Sequence, residues 1–130
     1  MIVLDQFPHH IYRDRPKAFA TDPQSLALSL AALESGEDRQ LTPIERVFLY
    51  LPLEHAESLA MQARSVSLYE QLAHEAAVDE RALFDNFLDY ACKHRDVVAR
   101  FGRFPHRNAI LGRVSTPDEL EFLKQPGSRF

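Results

Sequence analysis

Hydrophobic positions along the chain recur at helical spacing, and polar caps punctuate them. In "TDPQSLALSLAALESG", Leu26, Leu30 and Leu33 fall on one face, the period of an amphipathic helix. Asp22 as N-cap, Pro23 in the first turn and Gly36 as a stop bound it. "LTPIERVFLYLP" repeats the device. Thr42, Pro43 and Glu45 make a capping box, and Ile44, Val47, Phe48 and Leu51 form the stripe. Pro52 disfavours helix at Leu51, which predicts an end there. A longer helix is expected from near Ala56 to about Ala77, with Leu59, Ala63, Val66 and Leu72 near one face. Asp79 should cap the next, which is striped by Leu83, Phe84, Phe87, Tyr90, Ala91 and Val98, closes at Phe101 and stops at Gly102. Thr116, Pro117 and Glu119 repeat the capping box before a last short helix.

No stretch alternates with the period of a strand. Two long helices joined by so short a link must be antiparallel neighbours. The fold class that follows is all-α, a tetratricopeptide-like stack of antiparallel helix pairs. One helical domain should cover residues 1–125, with a frayed tail at 126–130. "MIVLDQFP" reads as the end of an apolar helix with no cap before it. That expects either a further segment upstream or a start docked against a partner.

Composition narrows the class. At 130 residues, with 45% apolar and 26% charged positions, the chain can bury a core without disulfide or metal. Cys92 is the single cysteine, which suits a reducing cytoplasm. No apolar run approaches the roughly 20 residues of a membrane span. The formal net charge of -4 speaks against nucleic acid as a partner. A soluble cytoplasmic protein, with neither nucleic acid nor membrane as partner, is the expectation.

The charge is unevenly placed. No Asp or Glu occurs from Val97 to Pro117, while Arg100, Arg103, Arg107 and Arg113 all do. A planar guanidinium forms paired hydrogen bonds to carboxylate or phosphate. Such a patch in an acidic protein points to a small anion or an acidic peptide. Arg103, His106, Arg107, Asn108 and Arg113 follow a predicted helix end, in a segment too irregular to be helix. "QFPHHIYRDR" near the start echoes "RFPHRNAILGR" near the end, which brings in His9, His10, Arg13 and Arg15. If both exits meet, they line an anion-attracting groove. The plainer alternative is that the arginines cap helix C-termini or pair with acids.

Other chemistry is poorly marked. None of the six histidines has metal-ligand spacing, so neither metal nor cofactor is expected. "PLEHAE" does set Glu54, His55 and Glu57 close together. His94 lies four residues after Tyr90 on an apolar stripe, where a buried, hydrogen-bonded histidine is commoner than a ligand. Cys92 reads as an inert buried thiol. The chain has no nucleophile elbow and no phosphate-cradling glycine loop.

Four stretches together, "LDQFPHHIYRDRPKAFATD", "ERVFLYLPLEHAE", "QARSVSLYEQL" and "HRDVVARFGRFPHRNAILGRVSTPDELEFL", resemble the bacterial domain of unknown function 924. The resemblance runs over nearly the whole chain in the same order. It implies an all-α, tetratricopeptide-like fold and no established activity, substrate or cofactor. His55, Glu57, Arg103, Phe104, Pro105, His106, Arg107 and Asn108 match the family pattern. Departures are His9 and His10 after Pro8, Glu54 and Ala56 around His55, and the family's aromatic N-terminal segment, for which this chain has no counterpart.

Three functions are therefore set against one another. The leading one is a binding module whose Arg/His-lined groove takes an acidic peptide or small anion. The second is a hydrolase of a phosphorylated or carboxylated metabolite, with His55, His106 and Glu57 as acid-base groups. It requires those side chains to converge in one cleft, within hydrogen-bond reach of a common point. The third is an oligomerising structural domain, a homo-oligomer through an apolar surface. The residues leave open whether the chain is an enzyme.

Overall fold

The computed structural model describes Phe19 and residues 22–130, and all regular structure among the described residues is helical. The long helices are α1 (Asp22–Ser35), α2 (Pro43–Glu54), α3 (Leu59–Glu75) and α4 (Arg81–Phe101). Two short ones follow, α5 (Asn108–Leu111) and α6 (Pro117–Leu123). Tight 3-10 turns occupy Glu37–Gln40 and Pro105–Arg107. None of the described helices is long and apolar enough to cross a membrane.

The caps form as their chemistry requires. Thr42 and Thr116 each accept from the backbone three residues on, and Glu45 and Glu119 each reach back to the cap backbone. Both pairs satisfy two N–H groups that the first turn leaves without partners. Ser58, not Ala56, starts α3, and its side chain accepts from Met61 N at 3.4 Å. Asp79 does not cap α4, whose preceding residue is Glu80 with no side-chain bond. Gly102 closes α4 at φ 72°, a left-handed value that costs glycine little.

Pro52 does not end its helix. α2 runs through it to Glu54, and His55 N still donates to Leu51 O at 2.9 Å. A proline in the last turn removes one hydrogen bond where few remain to be made. The extra turn carries Glu54 and His55 towards the rest of the molecule.

Each long helix packs on its neighbour in sequence, most extensively α3 on α4. Val47, Tyr50, Val66, Tyr69, Leu72 and Phe84 are buried at the centre. The buried face of α2 is turned from the expected stripe. Ile44 and Phe48 stay 43% and 39% exposed, while Leu49, Tyr50 and Leu53 are buried. Small polar residues make the α1–α2 contact: Ser25 and Ser29 are fully buried, and Ser29 Oγ donates to Leu49 O at 2.7 Å. Tyr69 Oη reaches Val47 O at 2.9 Å, and Tyr50 Oη donates to Asp38 at 2.6 Å. Ser25, Ser29, Tyr50 and Tyr69 lie outside the expected stripes, yet they carry these contacts.

A second, smaller cluster sits at the far end of α4. Val97, Val98 and Phe104 are buried there, with Phe101, Phe122 and Phe130 against them. The tail at 126–130, expected to fray, contributes to it: Ser128 is buried and Phe130 stacks on a ring of α4.

Candidate functional site

Two segments distant in sequence meet beside that second cluster. One is the link between α2 and α3, holding His55 and Glu57. The other is the punctuated stretch from Gly102 to Ser115. Gln62, fully buried on α3, braces the first by donating to Glu54 O at 2.6 Å and Ala56 O at 2.8 Å.

Glu57 joins the two. Its Oε2 accepts from Phe104 N at 2.7 Å, and both its oxygens face Arg113, at 2.8 and 3.0 Å. The same guanidinium donates to Asn108 Oδ1 at 3.0 Å and to Phe104 O at 3.2 Å. Asn108 is fully buried and passes the network on, donating to Ser115 Oγ and to Glu119. Arg103 grips Glu119 with two bonds, 2.9 and 2.8 Å, and Val114 O with another of 2.8 Å. Paired, charge-assisted bonds of this kind fix direction as well as distance. Glu119 therefore has two tasks, capping α6 and anchoring Arg103.

Arg107 completes the junction. It is buried, donates to His55 O at 2.9 Å, and lies between the rings of Phe19 and Phe104, 4.4 and 4.7 Å from their centres. The segment expected to be irregular thus contains a 3-10 turn at Pro105–Arg107 and the helix α5. Phe104 is the reason for the shape. It is wholly buried, and the chain must turn tightly on both sides of it.

Three imidazoles border this junction. His94, in the middle of α4, donates from Nδ1 to Tyr90 O at 2.8 Å. Phe130 stacks on its ring at 3.9 Å, and Phe104 meets it edge-on at 5.5 Å. His55 is 6.2 Å from His94, ring to ring. His106 stands 5.9 Å from Phe104 and 6.0 Å from Phe130. His55 and His106 therefore share one aromatic cluster.

The electrostatics follow from burial and these contacts. Burial pushes His94 down to about 3, against its bond to Tyr90, and positive neighbours push the same way. Burial, then the Arg107 guanidinium, brings His106 to about 4. Both rings are neutral near neutral pH. Burial would raise Glu57, but its bonds from Arg113 and Phe104 N outweigh this and hold it below the usual range. The Arg103 bond holds Glu119 down to about 2 despite burial, with help from Thr116 N and Asn108.

Of the residues that sequence reasoning singled out, His55, Glu57, Arg103, His106, Arg107, Asn108 and Arg113 come together. His9, His10 and Arg13, with the echoing segment they belong to, lie outside the described residues. Among the described residues, two of the arginines are held by carboxylates. Arg103 and Arg113 present their planar forks to Glu119 and Glu57, the plainer of the two expectations. A surface recess of about 450 Å³ between Arg100, Phe101, Arg103 and Thr116 is also lined by Asp118 and Glu119. Sequence reasoning missed Gln62 and Phe130 as participants, set Glu54 beside His55 and Glu57 without giving it a role, and read His94 as a core residue. Glu119 was legible as a cap, but its partner Arg103 is separated from it by a helix end and a turn.

Comparison with known proteins gives a consistent result. Residues 1–127 match the family described as bacterial protein of unknown function, DUF924. A solved structure of a protein of unknown function from Agrobacterium tumefaciens is similar to the chain, with 40% identity and a TM-score of 0.81. The match covers 95% of this chain and 64% of that one, so the chain spans less than two thirds of the relative's length. No curated protein matches.

Proposed function

The chain belongs to the bacterial DUF924 family of unknown function, and from that premise we propose that it is a helical binding module for a small anionic ligand. Its site is the junction of the His55–Glu57 link with residues 103–113. We read α1 to α4 as a tetratricopeptide-like stack, a reading supported by packing of each helix on its sequence neighbour. His55, His106 and Arg107 form the recognition face. Arg103, Asn108, Arg113, Glu57 and Glu119 are positioning residues that hold the 103–113 segment in shape.

One observation carries the reading. Glu54, Gln62, His94, Arg107, Asn108 and Glu119 are all buried, and all crowd around this junction. Burying ionic and amide groups rarely adds net stability, because desolvation offsets the attraction, and well-packed apolar side chains often do as well or better. A small protein that concentrates such groups in one place is departing from the rules of a stable core, and such departures gather at functional sites.

The test is a thermal-shift titration with phosphate, nucleoside monophosphates, dicarboxylates and acidic peptides. At least one is expected to raise the melting temperature of the wild type, with the rise lost in His106→Gln and in Arg107→Gln. If no member of the set shifts the wild type, or both variants respond equally to it, the reading fails.

A hydrolase is the second reading, favoured by one observation: His55 and His106 border the same aromatic cluster. Turnover of phosphate or carboxylate esters that is lost in both His55→Ala and His106→Gln would support it over simple binding.

A further inference from the structure

We propose that Glu54, His55 and His94 together bind a divalent transition-metal ion of the zinc class. The three arrive from two elements: Glu54 ends α2, His55 is its C-cap, and His94 lies across from them on α4. One ligand atom from each lies within 4.8 Å of both others. The Glu54 carboxylate comes to 3.5 Å from Nδ1 of His94. Donors around a tetrahedral zinc stand roughly 3.4 Å apart, from metal–donor distances of about 2.0–2.1 Å. Two imidazoles with one carboxylate make a borderline donor set that favours zinc and its neighbours over magnesium or calcium.

The surroundings fit the same role. The His94 nitrogen that faces Glu54 is Nδ1, which also bonds Tyr90 O at 2.8 Å; the metal takes the place of that bond, and the ring proton moves to Nε2. Gln62 holds the Glu54 carbonyl at 2.6 Å, so the backbone carrying two of the ligands is itself braced. Arg107 and His106 face His94 from the 103–113 segment. The Arg107 charge opposes a cation, and the Glu54 carboxylate is what offsets it. Three protein ligands would leave a fourth position for water or for an anion.

The experiment uses the full chain, without an affinity tag and stripped with a chelator. Cobalt(II) is titrated and followed by its visible absorption, and zinc(II) by calorimetry. One equivalent of either ion should bind, and cobalt should show the intense visible bands of four-coordination. Glu54→Gln and His55→Ala should each weaken binding by about tenfold or more, with circular dichroism unchanged. His94→Ala removes a buried ring and could unfold, so the two milder variants carry the test. A His9→Ala/His10→Ala variant should bind as the wild type does. The proposal is overturned if no stoichiometric binding occurs below millimolar ion, or if binding survives in both variants. Metal binding is the only readout, so its failure leaves the anion-binding reading standing.

Discussion

The two halves of this molecule are held together by different physics. Between α2 and α4, Val66, Tyr69, Leu72, Phe84 and Ala91 are buried, and Tyr50 meets Tyr69 edge-on at 6.1 Å. That region rests on apolar area, which is non-directional and tolerant of small shifts. At the far end of α4, one fully buried ring, Phe104, is surrounded by bonds that run Glu57–Arg113–Asn108–Glu119–Arg103. Those bonds work only when all are made, because a half-satisfied polar network is worse than none. The first half supplies stability. The second spends it on a defined shape.

The contrast breaks most sharply at the apolar side. Phe84→Ala should cost about 3–5 kcal/mol, through lost transfer energy and the cavity left behind. Chemical denaturation measures this directly. A loss under 1 kcal/mol would mean that the α3–α4 face is not the main source of stability.

The polar side should respond less in size but more in coupling. Glu57→Ala leaves Arg113 and Phe104 N without their carboxylate. A cost of about 1–3 kcal/mol is expected, since a half-buried donor is deprived but water can reach it. The double-mutant cycle of Glu57→Ala with Arg113→Ala should return about 0.5–3 kcal/mol of coupling. The cycle of Glu57→Ala with Phe84→Ala should return almost none. Equal couplings would erase the distinction between the two regions.

Acid should also separate them, because the far end holds the titrating groups. His94 and His106 have native values of about 3 and 4, below the ordinary 6.5. Below pH 6.5 the unfolded chain takes up protons that the native rings refuse, so stability falls with pH through that window. Glu119 acts later. Its native value of about 2 lies below the usual 4.5, so its contribution is complete above 4.5 and lost as pH falls towards 2. Thermal melts across this range should be flat above neutrality and decline below 6.5, and His106→Gln should shallow the upper part of the decline. A melting temperature that stays constant from 6.5 down to 4 would contradict the buried, neutral state of these rings.

How much of this the sequence disclosed depends on range. Capping boxes at Thr42 and Thr116 and the stop at Gly102 were legible because each is settled within four residues. The all-α class followed from the same grammar. The rotated face of α2 was not legible, since the apolar period cannot weigh Tyr50, Ser25 and Ser29 as core. Nor was the extra turn past Pro52, because a proline rule speaks for local preference and not for what a final turn can tolerate. The candidate site was half visible. Arg103, His106, Arg107, Asn108 and Arg113 stood out as an acid-free cluster, but the carboxylates that answer them come from Glu57 and Glu119. The acid-free window from Val97 to Pro117 is thus what remains when the partners lie outside it. Glu54 and His94 could not be paired from spacing at all, because forty residues and two helix ends separate them.

Phe130 gives the finest test of the comparison. Its ring stacks on His94 at 3.9 Å and meets Phe104 edge-on at 6.0 Å. It belongs to the polar half by position but contributes apolar cover. An aromatic pair adds about 0.5–1.5 kcal/mol beyond its buried area, so Phe130→Ala should lower stability only slightly. Its larger effect should be electrostatic. Burial is the main cause of the depressed His94 value, and removing the stacked ring lets water approach. The His94 titration, followed by NMR of its ring protons, should then move up towards 6.5 while that of His106 moves less. An unchanged His94 titration would show that α4 and Phe104 bury the ring without help, and the tail would lose its part in the site.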